Sequence, residues 1–192
     1  MPSTTHVSPL AFRCTACGNC CRNLRVAVTI GDVARLAAAT GSAPEALVAW
    51  LEPDAVDMTG EPESFVELSE GRRLMVLRQR DGACQLLRAD NRCSVYSARP
   101  QDCRAFPFDF DEPPHRPGPR RLILLPLDTC EYALDGQNDA TTLDADDRTR
   151  WSELRDYQSI VARWNRRARH RRRLHYPIGG AASFLSFALQ AE

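Results

Sequence analysis

The chain has 192 residues, 43% of them hydrophobic, which is enough for one globular domain with an ordinary core. Its 25 basic residues, all arginine, balance its 25 acidic residues, which argues against a generally polyanion-seeking protein. The absence of lysine also excludes any mechanism that runs through a lysine Schiff base.

We expect the first segment, residues 1–13, to be a flexible lead-in. It has neither the charged region nor the apolar region of a signal peptide. No later run of apolar residues is long enough to span a membrane. We therefore expect a cytoplasmic protein in a reducing compartment, where structural disulfides are rare.

Residues 29–51 predict a helical hairpin. Thr29 is a suitable N-cap for a helix over about 31–39, and Gly41 can end that helix. Ser42 can cap a second helix, in which an early proline suits the first turn. This second helix would present three apolar residues on one face, namely Leu47, Val48 and Leu51.

Short strands and turns follow the hairpin. Residues 65–68 and 74–77 are apolar runs on either side of a Glu-Gly turn, a pattern typical of a β-hairpin. Residues 84–87 predict a third strand, and residues 122–127 predict a buried one. Together with the helices they indicate an α+β fold with a short antiparallel sheet.

The C-terminal quarter predicts a long amphipathic helix that begins near Asp144. Its apolar stripe recurs at helical spacing and consists of Trp151, Leu154, Tyr157, Val161, Trp164 and Ala168. Pro177 would end it, and residues 184–189 predict a short terminal helix. We take residues 143–192 as a helical appendage to a cysteine-containing domain over residues 14–134.

Eight cysteines carry most of the functional information. Four of them fall within eight residues, and four follow later: Cys14, Cys17, Cys20 and Cys21, then Cys84, Cys93, Cys103 and Cys130. Thiolates gathered this tightly are typical ligands of a soft metal or an iron–sulfur cluster, and the first three repeat the C-x2-C-x2-C spacing of ferredoxins. Because adjacent side chains diverge, we expect Cys20 and Cys21 not to share one metal ion. One of them should join the second group, so the two groups should meet in space.

The pattern around these cysteines resembles the YkgJ-type cysteine-cluster family, whose members are described as zinc- or iron-chelating. The resemblance covers roughly residues 14–130. Its motif is Cys14-x2-Cys17-Gly18-x-Cys20-Cys21, then Cys84, then Cys93-x2-Tyr96-x2-Arg99-Pro100-x2-Cys103-Arg104-x-Phe106-Pro107. The resemblance implies a metal or iron–sulfur site, and some relatives resemble flagellin lysine N-methylases.

Three functions are open at this stage. The first is a metal-binding protein with a redox or metal-handling role, which holds an iron–sulfur cluster, for example of the 4Fe-4S type, or zinc. The second is a structural zinc module that presents the arginine-rich segment Arg163–Arg173 to a protein partner. The third is a cluster-dependent modifying enzyme similar to lysine methylases. Nucleic acid is not an expected partner, because Trp164, which lies among these arginines, belongs to the apolar stripe and suggests no stacking platform for single strands.

Overall fold

The computed structural model describes residues 9–56, 61–125 and 130–191. Its helices are α1 Asn19–Asn23, α2 Ile30–Thr40, α3 Pro44–Leu47, α4 Gln101–Ala105, α5 Ala140–Arg173 and α6 Ala181–Leu189. Its strands are β1 Arg13–Cys14, β2 Val48–Leu51, β3 Val66–Leu68, β4 Gly71–Leu77, β5 Gln79–Arg80, β6 Ala83–Cys84, β7 Phe108–Phe110, β8 Leu122–Leu124 and β9 Tyr132–Ala133. All strand pairs are antiparallel. The predicted α+β class is confirmed.

Helix α2 begins and ends where its sequence predicts. Thr29 and Asp32 form a reciprocal capping box, in which each side chain accepts a hydrogen bond from the other residue's backbone N–H. Gly41 ends the helix at φ +67°, a left-handed conformation that glycine adopts without strain. The apolar face of α2 is buried at Val33 and Leu36.

The predicted second helix of the hairpin is wrong beyond Leu47. Helix α3 is a single turn, and the chain continues as β2, which pairs with β4 from Val48 opposite Leu77 to Leu51 opposite Leu74. Valine, tryptophan and leucine fit a half-buried pleated surface, and an available partner strand decides between helix and strand for so short a run. The result is a three-stranded sheet in the order β2–β4–β3.

The β-hairpin between residues 65–68 and 74–77 is confirmed as β3 and β4, joined at Gly71 with φ +108°. The other predicted strands are shorter than expected. The third strand ends at Cys84, where residues 84–87 were expected to continue it. Strand β8 covers Leu122–Leu124 and pairs with β7, and residues 126 and 127 lie outside the described ranges.

The long C-terminal helix is confirmed and begins earlier than predicted. Asp139 caps α5 by accepting a hydrogen bond from the backbone N–H of Thr142, so the helix starts at Ala140 and not near Asp144. Its buried face joins the main core together with Phe184 and Leu185 of α6. The same core contains residues of α2, β2, β3 and β4, among them Val33, Leu36, Val48, Val66, Leu68 and Met75. None of the described helices is long and apolar enough to cross a bilayer.

Candidate metal centre

The first cysteine group lies on a tight turn. Cys14 ends β1, and Cys20 and Cys21 occupy the first turn of α1. Gly18 precedes that helix at φ +74°, and a Cβ there would lie 2.7 Å from the guanidinium of Arg22. The left-handed conformation favours glycine at this position, whereas the flexible guanidinium of Arg22 could move aside for a Cβ. The turn brings the cysteines of the C-x2-C-x2-C run close together in the chain.

Residues 130–138 pair with and hydrogen-bond to the segment around this turn, although they lie more than a hundred residues further along the chain. Strand β1 pairs with β9, with Cys14 opposite Tyr132. The hydroxyl of Thr15 donates to the carbonyl of Glu131 at 2.5 Å. These contacts bring Cys130 within electrostatic range of Cys17 in the first group, and its thiol donates a hydrogen bond to the backbone carbonyl of Glu131 at 3.6 Å. Partial burial and the nearby Cys17 raise the pKa of Cys130 to about 11.

The cysteines of the second group arrive on separate short elements. Cys84 ends β6, Cys93 forms a β-bridge with Leu87, and Cys103 lies within α4. Cys84 lies within electrostatic range of Cys93 and Cys20, and Cys103 lies within range of Cys84 and Cys20. Burial is the main cause of the raised pKa values of Cys84 and Cys103. Cys20 of the first group therefore lies within electrostatic range of two cysteines of the second group, Cys84 and Cys103, and the predicted meeting of the two groups in one site stays a prediction.

The thiols of the adjacent pair, Cys20 and Cys21, have pKa values that are shifted in opposite directions. The thiol of Cys21 donates to the sulfur of Cys20, which lowers the pKa of Cys20 to about 6 and raises that of Cys21. The guanidinium of Arg99 also favours the thiolate of Cys20. Arg99 itself lies 4.0 Å above the ring of Tyr96. Among the thiols with a shifted pKa, Cys20 is therefore the one that loses its proton most readily.

A buried polar network holds the short helix that carries Cys103. The backbone N–H of Gln101, the first residue of α4, donates to Asp32 at 3.0 Å. Its side chain donates to Glu153 of α5 at 2.7 Å. Arg35 joins the two acids, since its guanidinium contacts both Asp32 and Glu153. The sequence analysis missed these residues, and the only local signal was the capping box of Thr29 and Asp32.

All eight thiols are free. As they stand, the described side chains include no group of three or more His, Cys, Asp or Glu residues that could hold a metal ion. Cys20 and Cys21 shift each other's pKa, and Cys17 raises the pKa of Cys130, so these thiols lie within electrostatic range of one another. The donor set itself suits zinc or iron, because it is composed entirely of soft sulfur atoms gathered in one region.

Comparison with known families supports this interpretation. The model of the CxxCxxCC family, described as a "putative zinc- or iron-chelating domain", matches residues 13–131. The chain belongs to the CxxCxxCC family. The matched segment of this CxxCxxCC protein contains all eight cysteines and ends before α5. Family membership supports metal binding in general. No curated protein and no solved structure is significantly similar to the chain.

Proposed function

We propose that the eight cysteines of this CxxCxxCC protein form two neighbouring four-thiolate metal centres. One would consist of Cys14, Cys17, Cys20 and Cys130, and the other of Cys21, Cys84, Cys93 and Cys103. The observation that carries this division is the position of the adjacent pair. Cys130 lies within electrostatic range of Cys17, Cys14 and Cys20, and Cys21 lies within range of Cys84 and Cys103. Cys20 is also within range of Cys84 and Cys103, so we assign it to the first centre from the C-x2-C-x2-C spacing.

The sequence spacing favours iron–sulfur clusters over zinc as the occupants. Cys14, Cys17 and Cys20 keep the C-x2-C-x2-C spacing that ferredoxins use, and a distant fourth cysteine, here Cys130, completes such a site. A bound iron–sulfur cluster supplies one-electron redox chemistry, whereas zinc has no accessible redox step. The function that follows is electron transfer or metal handling.

The residues around the sulfurs prepare them for this role. Ligation requires thiolates, and the lowered pKa of Cys20 places its deprotonation below neutral pH. Arg99 offsets part of the negative charge that four thiolates accumulate. Burial of Cys103 limits the access of water to its side of the site. Metal binding should therefore release protons, mainly from the thiols whose pKa values burial raises.

Metal and sulfide analysis of anaerobically purified protein, together with visible spectra, tests this proposal. We expect stoichiometric iron and sulfide, with charge-transfer bands that change on reduction. Cys130→Ser and Cys93→Ser should each lose about half of the metal, because each would disable one of two sites. Ser94→Ala changes an exposed neighbour of Cys93 and should keep the full metal content.

Two results would contradict the proposal in different ways. Native protein that takes up neither metal, with all thiols free or paired in disulfides, would refute the metal centres. A colourless protein that carries two zinc ions, even after anaerobic reconstitution with iron and sulfide, would keep the two sites and reject the clusters. Circular dichroism of each variant identifies any metal loss that is caused by unfolding.

A further inference from the structure

The C-terminal end of α5 carries a concentration of positive charge. Between Asp156 and Glu192 the chain has seven arginines and no acidic residue. All seven are exposed, and they are Arg163, Arg166, Arg167, Arg169, Arg171, Arg172 and Arg173. Because the whole chain has a formal net charge of zero, the rest of the chain is net negative. The positive charge is therefore confined to one end of one helix.

Few of these charges are neutralised within the part of the chain that the structure describes. Arg172 reaches Glu67 at 3.5 Å, and Arg167 and Arg171 lie over aromatic rings. No hydrogen bond, ion pair or ring contact among the described residues engages the other four side chains, which belong to Arg163, Arg166, Arg169 and Arg173. These four guanidiniums are therefore available to a partner outside the chain.

Three of the four available arginines form a row on the outward face of α5. Arg163, Arg166 and Arg173 are spaced i, i+3 and i+10, which places them on the same side of a helix. Val161 and Ala168 belong to the opposite side of α5 and are buried. With a rise of about 1.5 Å per residue, this cationic row is about 15 Å long. The fold therefore presents the three charges together to the solvent.

The arrangement of these arginines destabilises the helix that carries them. Arg163 lies three residues before Arg166 and four before Arg167. Arg169 lies four residues before Arg173. Like charges at these separations are neighbours on a helix surface and repel one another. The helix dipole offsets such repulsion only within the last turn, and Arg163 and Arg166 lie before the last turn. An anionic partner would relieve this repulsion.

Two exposed apolar side chains stand at the end of the cationic row. Leu174 is the C-cap of α5, continues the outward face at i+11 from Arg163, and is 51% exposed. Tyr176 is 60% exposed, and the guanidinium of Arg171 lies 5.8 Å from the centre of its ring. Cationic side chains next to exposed leucine and tyrosine are typical of surfaces that bind at the interface of a membrane.

We propose that this end of α5 binds the surface of an anionic membrane. The planar fork of each guanidinium suits a lipid phosphate, and Leu174 and Tyr176 would lie at the boundary between headgroups and acyl chains. A nucleic acid duplex could also neutralise the row, but contacts with its phosphates make no use of an exposed leucine. The proposal is independent of the metal centres, because the row lies outside the segment 13–131 that contains all eight cysteines.

Sedimentation of the anaerobically purified, metal-loaded protein with lipid vesicles tests the proposal. We expect binding to vesicles of equal parts phosphatidylglycerol and phosphatidylcholine, and no binding to phosphatidylcholine alone. Binding should weaken as the salt concentration is raised, because mobile ions screen exposed charges. Equal binding to both kinds of vesicle, or binding to neither, would overturn the proposal.

Matched variants connect the binding to the cationic row. Each basic residue close to an anionic membrane strengthens binding about fivefold, so the combined change Arg163→Gln, Arg166→Gln and Arg173→Gln should weaken it about a hundredfold. A control triple variant loses the same net charge towards the start of α5, through Arg116→Gln, Arg121→Gln and Arg148→Gln. The control should keep its binding to within about twofold. Equal weakening by the two triple variants would reduce the effect to net charge and overturn the proposal.

Two further measurements distinguish lipid from nucleic acid. Leu174→Ala should weaken vesicle binding about fivefold, because about half of the leucine side chain is free to enter the lipid. Unchanged binding of this variant would contradict the proposed apolar contact. A short DNA duplex offers phosphates without acyl chains. Tighter binding to the duplex than to the anionic vesicles, at the same phosphate concentration, would overturn the proposal in favour of nucleic acid. These changes affect exposed side chains, so each variant should keep the circular dichroism of the wild type.

Discussion

Replacing Asp32 with alanine should destabilise the protein by about 3 kcal/mol. The Asp32 carboxylate accepts from the backbone N–H of Thr29 at 2.9 Å and from that of Gln101 at 3.0 Å, and both contacts are buried. Each buried donor left without a partner costs about 1–3 kcal/mol. Arg35 keeps its ion pair with Glu153, so losing its contact with Asp32 costs little. Burial raises the pKa of Asp32, which shows that its buried charge is itself partly unfavourable. Removing that charge offsets part of the cost of the lost hydrogen bonds.

Urea unfolding of metal-loaded protein, followed by circular dichroism, measures this loss. Asp54→Ala removes an exposed acid from a one-turn helix and should change the free energy of unfolding by no more than about 0.5 kcal/mol. Asp32→Asn keeps one acceptor oxygen and should give an intermediate loss. A loss below about 1 kcal/mol for Asp32→Ala would refute the assigned role. Because Gln101 begins the helix of Cys103, the alanine variant should also lose metal to a chelator faster.

Three other changes test separate parts of the fold. Phe184→Ala removes a fully buried ring that contacts Trp50, Tyr157 and Trp164, and urea unfolding should show a loss of about 3–5 kcal/mol. The raised pKa of Glu61 means that the folded protein binds the Glu61 proton more tightly than the unfolded chain does. The stability contributed by this proton therefore falls as pH rises above 4.5, the ordinary pKa of glutamate. Glu61→Gln should therefore gain stability relative to the wild type across that window, and a constant difference between pH 4 and pH 7 would contradict the shift. Three exposed arginines of α5 can be changed to glutamine together: Arg167, Arg171 and Arg172. This triple variant should keep its full metal content, as measured by metal analysis. Loss of metal would instead connect α5 to the metal site.

Local signals in the sequence identify α2 but not the strand β2. The capping box at Thr29 and the left-handed Gly41 act within a few residues, so the sequence alone reveals both ends of α2. Residues 48–51 carry no such signal. Their strand conformation depends on hydrogen bonds to β4, which lies more than twenty residues further along the chain. Periodicity alone cannot show that such a partner exists.

The candidate site divides in the same way. The cysteine spacing predicts a sulfur-rich site whose two groups meet, because ligand spacing is a local property, and the ligand set stays a prediction. The support of α4 by Asp32 and Glu153 depends on helix packing, which only the folded chain reveals.

The pairing of β1 with β9 has a consequence for the order of events during synthesis. Cys14 and Cys17 leave the ribosome long before Cys130 and the strand that fastens them, at Tyr132 and Ala133. Chains grow at about 5–20 residues per second, so these thiols wait on the order of ten seconds without their distant partner. Contacts between such remote segments also form late in folding. Completion of the proposed centre at Cys14, Cys17, Cys20 and Cys130 would therefore be a late step, and the first three thiols would remain without their fourth partner until then.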